Sequence, residues 1–367
     1  MKIPFCPNCE CRLHQSRPLA SPQWYQHYGT YAAKRFGTVQ RFRCLSCGRH
    51  FSTQTFAISY SEKKRVSLPQ IANRLCSGEG LRAIGRGLGV SSQVVSNRIS
   101  RLARSRMGAH CSLTRQLRLS EALAADGFET FTHSQDFPEH INLAVGSRSQ
   151  FLYLFNHGTL KRKGRMTKTQ RSRRDALQRT GAYPTTRLSD VFADLLEELC
   201  SHLKPSYPLV LFTDEHPAYR RALRRCTRAA HHVRIPSKLP RTRFNPLFPV
   251  NYYERELRKD LAAHHRESVC FSREVNRSLE RIVVYGYYHN YEKPYRVRGS
   301  LNDRSVLHSC KAGLDRKLVE KATQKSYRER GFFHRSPLTW FSRLLWTWRL
   351  FTPQPSGWAR IPSYVFC

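Results

Sequence analysis

A large excess of positive charge is the dominant feature of this sequence. Its 367 residues include 63 Lys and Arg but only 26 Asp and Glu, a formal net charge of +37 at pH 7. A compact fold with this excess repels itself unless a polyanion neutralises it. Nucleic acid is the expected polyanion, because each phosphate that a basic side chain neutralises releases a condensed counterion. A structural nucleic-acid binder would share this charge, so charge indicates a partner and not a reaction.

Signals for membrane insertion or export are missing from the sequence. A transmembrane helix needs roughly 18 consecutive apolar residues, and no such run occurs. The N-terminal stretch MKIPFCPNCECRL lacks the apolar region of a signal peptide. We therefore expect a cytoplasmic protein with no membrane partner.

Paired cysteines mark the first segment, residues 1–58. Cys6 and Cys9 form one Cys-x-x-Cys pair, and Cys44 and Cys47 form the second. In a reducing cytosol this spacing indicates metal binding rather than disulfides, unless both pairs arise by chance. Four thiolates on two turns satisfy tetrahedral Zn²⁺ and leave no open position for a substrate. We predict a zinc-ribbon DNA-binding module with a structural Zn²⁺ on these four cysteines. Three nearby side chains compete with them as ligands: Cys11, His14 and His50.

Residues 65–108 show helical periodicity and predict an all-α helix-turn-helix domain. Gly87 and Gly89 bracket a tight turn, after which Ser91 can cap a helix over residues 92–104. A second helix with polar N-terminal residues after a short turn is the geometry that reads a DNA major groove. An ordinary helical hairpin of a core is the alternative. The side chains predicted to contact DNA are Gln93, Ser96, Asn97, Arg98 and Arg101.

From residue 118 onward, apolar runs alternate with helical stretches, which is typical of an α/β domain. We assign residues 118–300 to an α/β core with a mixed central sheet. Residues 301–367 form a basic, aromatic-rich C-terminal extension that carries no assignable motif.

Three acidic residues of this core stand where a metal site would need them. Asp126 follows a short apolar segment in ALAADGF, and Asp214 ends the apolar run VLFTD. Ligands of open α/β sheets gather outside such strand ends. Glu254 lies in the helical stretch NYYERELRKD, where Glu256 and Asp260 are rivals for its role. For any one of these acids, the alternative is a solvated surface charge.

The chemistry that suits three such carboxylates is phosphoryl transfer. Mg²⁺ prefers hard oxygen ligands, and two such ions can activate a nucleophile and stabilise the leaving oxygen in a displacement at phosphorus. We predict that Asp126, Asp214 and Glu254 are catalytic and hold two Mg²⁺ or Mn²⁺ ions. Basic side chains near them are predicted to contact DNA: Lys161, Arg162 and Lys163 in a basic run, and Arg255, Arg258 and Lys259 beside Glu254.

The order of these features resembles the bacterial insertion-sequence transposases of the DDE type, which have an RNase H-like catalytic core. The resemblance covers most of the chain. TDEHPAYRRAL is similar to the family's second-acid motif, and NYYERELRKDLAAHHRESVCFS is similar to its third-acid helix. YYHNYEKPYRV is similar to the segment that follows that helix.

The resemblance implies that Asp126, Asp214 and Glu254 are the D, D and E of the family. It further implies recognition of terminal inverted repeats, metal-dependent DNA cleavage, and strand transfer into target double-stranded DNA. A homodimer or higher multimer would hold two element ends, in association with the bacterial nucleoid.

Two other functions are compatible with the sequence. One is a non-catalytic, sequence-specific DNA-binding regulator derived from a transposase. The other is a nucleic-acid packager that binds through charge alone and without sequence preference.

Overall fold

The computed structural model describes residues 3–15, 24–204, 207–266, 268–296, 306–353 and 365. Parts of the predicted C-terminal extension, residues 301–305, 354–364 and 366–367, lie outside this description. Within the described ranges, every helix is too short or too polar to cross a lipid bilayer.

A small antiparallel sheet forms the N-terminal module. A short helix, α1 (Arg12–Gln15), precedes the strands β1 (Tyr25–Ala33), β2 (Gly37–Cys44) and β3 (His50–Ser52), which lie in that order. Aromatic rings and thiols fill its core, which includes Phe332 from the C-terminal segment. The module is therefore packed against the rest of the chain.

Three helices follow, α2 (Leu68–Leu75), α3 (Leu81–Gly87) and α4 (Ser92–Thr114). The Ser91 hydroxyl caps α4 by accepting a hydrogen bond from Val94 N at 3.4 Å. The predicted helix is therefore present, but it runs ten residues beyond the predicted end at 104, because buried side chains continue at helical spacing to residue 114. Its C-terminal half packs against a helix of the core, α9 (Val275–Tyr291), so the helix-turn-helix shares a hydrophobic core with the sheet.

A mixed five-stranded sheet lies at the centre, as predicted, with strand order β6-β5-β4-β7-β8. The strands β4, β5 and β6 pair antiparallel, and β7 and β8 continue the sheet in parallel from β4. Their bounds are Leu123–Phe131 for β4, Pro138–Gly146 for β5, Leu152–Thr159 for β6, Leu209–Thr213 for β7 and Ala230–Arg234 for β8.

Helices cover both faces of this sheet. Because side chains alternate along a strand, β4 sends Leu123 and Ala125 to one face, and Ala124 and Phe128 to the other. The first face packs on α6 (Leu188–His202) and α7 (Pro217–Leu223), and the second on α8 (Phe248–Asp260) and α9. The other α-helices of the described residues are α5 (Lys168–Arg179), α10 (His308–Lys311), α11 (Arg316–Arg328) and α12 (Trp340–Trp346).

The C-terminal segment belongs to the core. Trp346 of α12 is 1% exposed and lies in the same hydrophobic cluster as the sheet. Its indole nitrogen donates to the backbone oxygen of Val365 at 2.8 Å. Trp346 therefore contributes to folding, whereas Trp340 and Phe351 are exposed.

Candidate metal centres and nucleic-acid interface

Four thiols converge in the N-terminal module. The sulfurs of Cys6, Cys11, Cys44 and Cys47 all lie within 4.8 Å of one another. The Cys6–Cys47 and Cys11–Cys44 sulfur pairs are 3.6 Å and 4.0 Å apart. With Zn–S bonds near 2.3 Å, tetrahedral geometry places sulfurs about 3.8 Å apart. The group therefore fits a structural Zn²⁺ that four protein ligands enclose.

One member of this group differs from the predicted set, because Cys11 takes the place of Cys9. The chain turns after Cys6: Cys11 N donates to Asn8 O at 3.1 Å, and Cys6 N donates to Leu13 O at 3.2 Å. This turn carries the Cys11 thiol to Cys44, whereas the half-buried Cys9 is not in the group. Cys-x-x-Cys spacing identified three of the four sulfurs, and Cys11 was one of the competing candidates.

The two histidines that competed as zinc ligands have other positions. His14 is buried, and its Nδ1 donates to the backbone oxygen of Cys6 at 2.8 Å, which supports the turn beneath the thiols. His50 stacks on Tyr28 with ring centroids 4.2 Å apart. Neither belongs to the four-sulfur group.

Asp126 and Asp214 lie side by side because their strands are parallel neighbours. Ala124 of β4 pairs with Phe212 of β7, and each aspartate lies two residues further along, on the same face as that pair. The Asp126 carboxylate accepts hydrogen bonds from Gly127 N at 2.7 Å and from the Tyr219 hydroxyl at 3.4 Å. The Asp214 carboxylate accepts one from His216 N at 2.9 Å.

Glu254 reaches these aspartates from helix α8, which packs against β4. Burial and the negative charges of Asp126 and Asp214 raise the pKa of Glu254 to about 8. Burial and the charge of Asp214 raise the pKa of Asp126 to about 6. One carboxylate oxygen of Glu254 is buried and has no hydrogen-bond partner in the described part of the chain. The structure thus brings all three predicted acids into one electrostatically coupled cluster.

The rivals of Glu254 on α8 have partners elsewhere. Glu256 is 3% exposed and forms an ion pair with Lys293, and its Oε2 lies 3.4 Å from His289 Nδ1. Burial alone would raise the pKa of Glu256, but the hydrogen bonds of His289 and Lys293 hold it well below its usual range. Asp260 accepts a hydrogen bond from the Tyr285 hydroxyl at 2.8 Å. Helical phase could not separate these acids, whereas their tertiary contacts do.

A cavity of about 190 Å³ adjoins the acid cluster and includes residues that the sequence analysis did not select. The imidazole of His140 lies over Gly127, where a β-carbon would come within 1.9 Å of the ring. The cavity is lined by Asp126, Asp214, Tyr219, His140, Asn142 and Lys163. Tyr219, His140 and Asn142 were not selected from the sequence. Of these three residues only Tyr219 has a sequence signal, since it follows Asp214 in TDEHPAY.

Arg241 is a second residue that the sequence analysis missed. It is exposed in the loop before α8, and its charge lowers the pKa of both Asp126 and Glu254 against the larger effect of burial. It lies in the basic stretch KLPRTRF, which carries no helical or strand periodicity.

The predicted DNA-reading residues of α4 divide into two groups. Gln93 and Asn97 are exposed, and the half-buried Ser96 lies between them. Arg98 and Arg101 instead bind the segment before α2. Arg98 is 6% exposed, and its Nε lies 2.9 Å from Glu62 Oε1. Arg101 donates to the backbone oxygen of Ile58 at 3.1 Å. These two arginines, which were predicted to contact DNA, instead hold the segment before α2 on α4.

The predicted basic residues near the acids divide in the same way. Arg162 is paired with Asp136 at 2.5 Å, and Arg258 lies over the Phe128 ring at 4.5 Å while donating to Glu129 O at 2.9 Å. The exposed members of the predicted set are Lys161, Lys163, Arg255 and Lys259.

The sequence was also compared with known proteins. No protein-family model matches it, and no curated protein matches it significantly.

Proposed function

We propose that the protein is a DNA transposase with an RNase H-like core, which binds the terminal inverted repeats of a mobile element and catalyses metal-dependent DNA cleavage and strand transfer. The observation that carries this proposal is the meeting of Asp126 within β4, Asp214 directly after β7 and Glu254 on α8. They are far apart in sequence, and each comes from the element that its sequence context predicted.

The acid cluster has the properties of a site for divalent cations. Its carboxylates repel one another, and one oxygen of Glu254 lacks a partner among the described residues. Hard oxygen donors suit Mg²⁺ or Mn²⁺. Asp126, Asp214 and Glu254 would hold the ions, while Tyr219 and the His216 amide orient the two aspartates. Two bound ions supply activation of the nucleophile and stabilisation of the leaving oxygen.

Exposed basic side chains around the cluster support DNA as the substrate. Lys163 borders the acid cavity, and Arg255 and Lys259 are exposed on the helix that carries Glu254. The exposed helix α5 adds further basic side chains and, in the described structure, buries none of its residues. Phosphates at this surface would neutralise part of the net charge of +37.

A cleavage assay with duplexes that carry the ends of the encoding element tests this function. We expect strand cleavage with Mg²⁺ or Mn²⁺ and none with EDTA, and an Asp214→Asn variant should bind the same duplex but leave it intact. Binding without metal-dependent cleavage, even at high protein concentration, would contradict the proposal and favour a DNA-binding regulator. Equal affinity for all duplexes would favour a packager.

Mg²⁺ affinity is expected to increase with pH. The pKa values of Asp126 and Glu254 are raised from 3.8 and 4.5 to about 6 and about 8. Mg²⁺ must therefore displace about two protons below pH 6 and about one between pH 6 and pH 8. The dissociation constant should fall about 100-fold per pH unit in the lower range, about tenfold per unit in the upper range, and little above pH 8.

The same raised pKa values fix how the stability of the metal-free protein depends on pH. A carboxyl group that is easier to protonate in the folded state loses its stabilising effect as pH rises. Stability should thus decline from about pH 4 to pH 8 in EDTA, and Mg²⁺ should reverse the decline. Calorimetric titration and thermal unfolding between pH 5 and pH 9 measure both effects. A Mg²⁺ affinity that does not change with pH would contradict them.

A further inference from the structure

A basic cleft separates the helix-turn-helix from the start of α9. It encloses about 790 Å³. One wall is formed by α3 and the first residues of α4, including Gln93 and Ser96, and the other by residues within 261–263 and 269–281. Five arginines line the cleft: Arg82, Arg86, Arg273, Arg277 and Arg281.

The acids of this cleft neutralise at most one of its arginines. Only two acids line it within the described residues, and only one of them pairs with an arginine of the cleft. Glu79 lies 3.5 Å from Arg74, and Glu274 lies 3.5 Å from Arg277. Among the described residues, five arginines and two acids line the cleft, so this part of it keeps a positive excess.

Arg277 differs from the other arginines of the cleft because it connects parts of the fold. Its guanidinium donates to Ser96 O at 3.2 Å and to Asn97 Oδ1 at 3.3 Å. It also lies over the Trp348 ring at 4.2 Å. Arg277 therefore joins α9 to the first half of α4 and fixes the width of the cleft.

Arg281 has no comparable partner. Its guanidinium lies deep in the cleft and makes no hydrogen bond or ion pair with the residues that the structure describes. Burial and the charge of Arg277 lower its pKa to about 10, so it remains charged at neutral pH. Arg82, Arg86 and Arg273 are exposed at the same cleft and likewise pair with no described residue. A buried charge without an ion-pair partner is costly. The charges of Glu280 and Glu274 offset only part of the effect of burial and of Arg277 on Arg281, which favours an anionic ligand.

We propose that this cleft binds the sugar–phosphate backbone of the duplex DNA that α4 reads, with Arg273 and Arg281 donating to phosphate oxygens from one wall and Arg82 and Arg86 from the other. The inference rests on the proposed function, and it adds the site at which α3, α4 and α9 together hold the duplex. The planar guanidinium group matches phosphate geometry with two parallel hydrogen bonds.

The position of α4 favours DNA over RNA. Gln93 and Ser96, near the N-terminus of α4, line the same cleft as the arginines. A helix that contacts base edges with its N-terminal residues fits the wide major groove of B-DNA. The major groove of an RNA helix is too deep and narrow for side chains to read.

Substitutions of Arg281 and Arg273 test the site. We would compare Arg281→Met and the double variant Arg273→Ser/Arg281→Met with wild type, using a mixed-sequence DNA duplex over a range of salt concentrations. Each lost phosphate contact should reduce the slope of log affinity against log salt by about 0.9. The double variant should thus lose about 1.8 from the slope and roughly tenfold or more in affinity at low salt.

A matched control removes two positive charges elsewhere. Lys317 and Lys321 are exposed on α11 and do not line the cleft. Lys317→Ser/Lys321→Ser changes the net charge equally and should leave the slope close to that of wild type. If it lowers the slope as much as the arginine variant does, binding depends on net charge alone and the cleft proposal is overturned.

Thermal unfolding provides a second readout that a merely structural arginine would not give. Because the Arg281 charge is buried and forms no ion pair with a described residue, Arg281→Met should raise the melting temperature without DNA, while sulfate should stabilise wild type more than the variant. A lower melting temperature together with an unchanged salt slope would overturn the proposal, as would tighter binding of an RNA duplex.

The cleft and the proposed function can fail separately. If the salt slope of the double variant falls as expected but wild type never cleaves DNA, the cleft proposal stands and the proposed transposase activity fails.

Discussion

Replacing Glu254 with Gln is expected to remove Mg²⁺-dependent strand cleavage and, at the same time, to stabilise the metal-free protein. An amide cannot supply the negative charge that a divalent cation needs. Because bound cations contribute several kcal/mol to phosphoryl transfer, and each 1.4 kcal/mol is tenfold in rate, we expect a loss of roughly a thousandfold or more. Cleavage of a labelled duplex in single-turnover conditions measures this loss.

The gain in stability follows from the same electrostatics. Glu254 is repelled by Asp126 and Asp214, and burial with this repulsion raises its pKa to about 8. At or above that pH the neutral Gln avoids the cost of a buried charge, so the free energy of unfolding in EDTA should rise by about 1 to 3 kcal/mol. Mg²⁺ should then stabilise the variant less than it stabilises wild type. A variant that unfolds more easily in EDTA would show that Glu254 has a structural role.

Glu256→Gln is the matched control, because the same chemical change is made two residues away on the same helix. Glu256 holds Lys293 and His289, so its loss leaves a buried cation without a counter-charge. Breaking a buried ion pair of this kind costs about 3 kcal/mol or more. We expect a destabilised protein that still cleaves DNA below its melting temperature. Cleavage lost in Glu256→Gln but kept in Glu254→Gln would reverse the assignment of the third acid.

The acid cluster was predictable because its members carry local signals. Asp214 stands where an apolar run ends, and Asp126 lies in a short apolar segment, so both could be placed on strands. Their adjacency depends on the parallel pairing of β4 with β7, which the sequence does not specify. The choice among Glu254, Glu256 and Asp260 depends on contacts with α9 and its flank, made by Tyr285, His289 and Lys293.

The intramolecular contacts of Arg98 and Arg101 could not be predicted, because their cause is non-local. Arg98 and Arg101 belong to a polar stripe of α4 that resembles a solvent-facing surface. Their partners, Glu62 and the backbone of Ile58, lie in the segment before α2. A pattern within one helix does not reveal which distant segment covers it. The basic cleft was missed for the same reason, since its walls come from α3, α4 and α9.

The extent of α4 was also only partly predictable. Ser91 and the preceding glycines define its start, because caps and turns have residue-specific chemistry. Its end has no comparable signal, and Met107 and Cys111 continue its buried face into the packing with α9. The C-terminal segment carried no motif from which its role could be predicted. Only the structure shows that Trp346 is buried in the core of the same chain.

Zinc binding is expected to survive Cys9→Ser and to fail in Cys11→Ser. The four converging sulfurs include Cys11 and exclude Cys9. Loss of a thiolate leaves three ligands and should weaken Zn²⁺ binding by at least about a hundredfold. Even the loss of a group that only hydrogen-bonds to a metal ligand can weaken binding by up to about that factor. Metal content after dialysis against a chelator distinguishes the two variants, and Cys44→Ser provides a positive control for zinc loss.

The loss of zinc should extend beyond the metal site because of how the module packs. Cys6, Cys11 and Cys44 belong to the module's own small core, which Phe332 completes from the C-terminal segment. In small modules of this kind, metal binding supplies most of the folding free energy. Cys11→Ser should therefore make residues 24–56 sensitive to protease and expose Phe332, whereas Cys9→Ser should remain resistant. Protease resistance in zinc-free Cys11→Ser would show that the aromatic core alone maintains the module, and zinc loss in Cys9→Ser would restore Cys9 as the ligand.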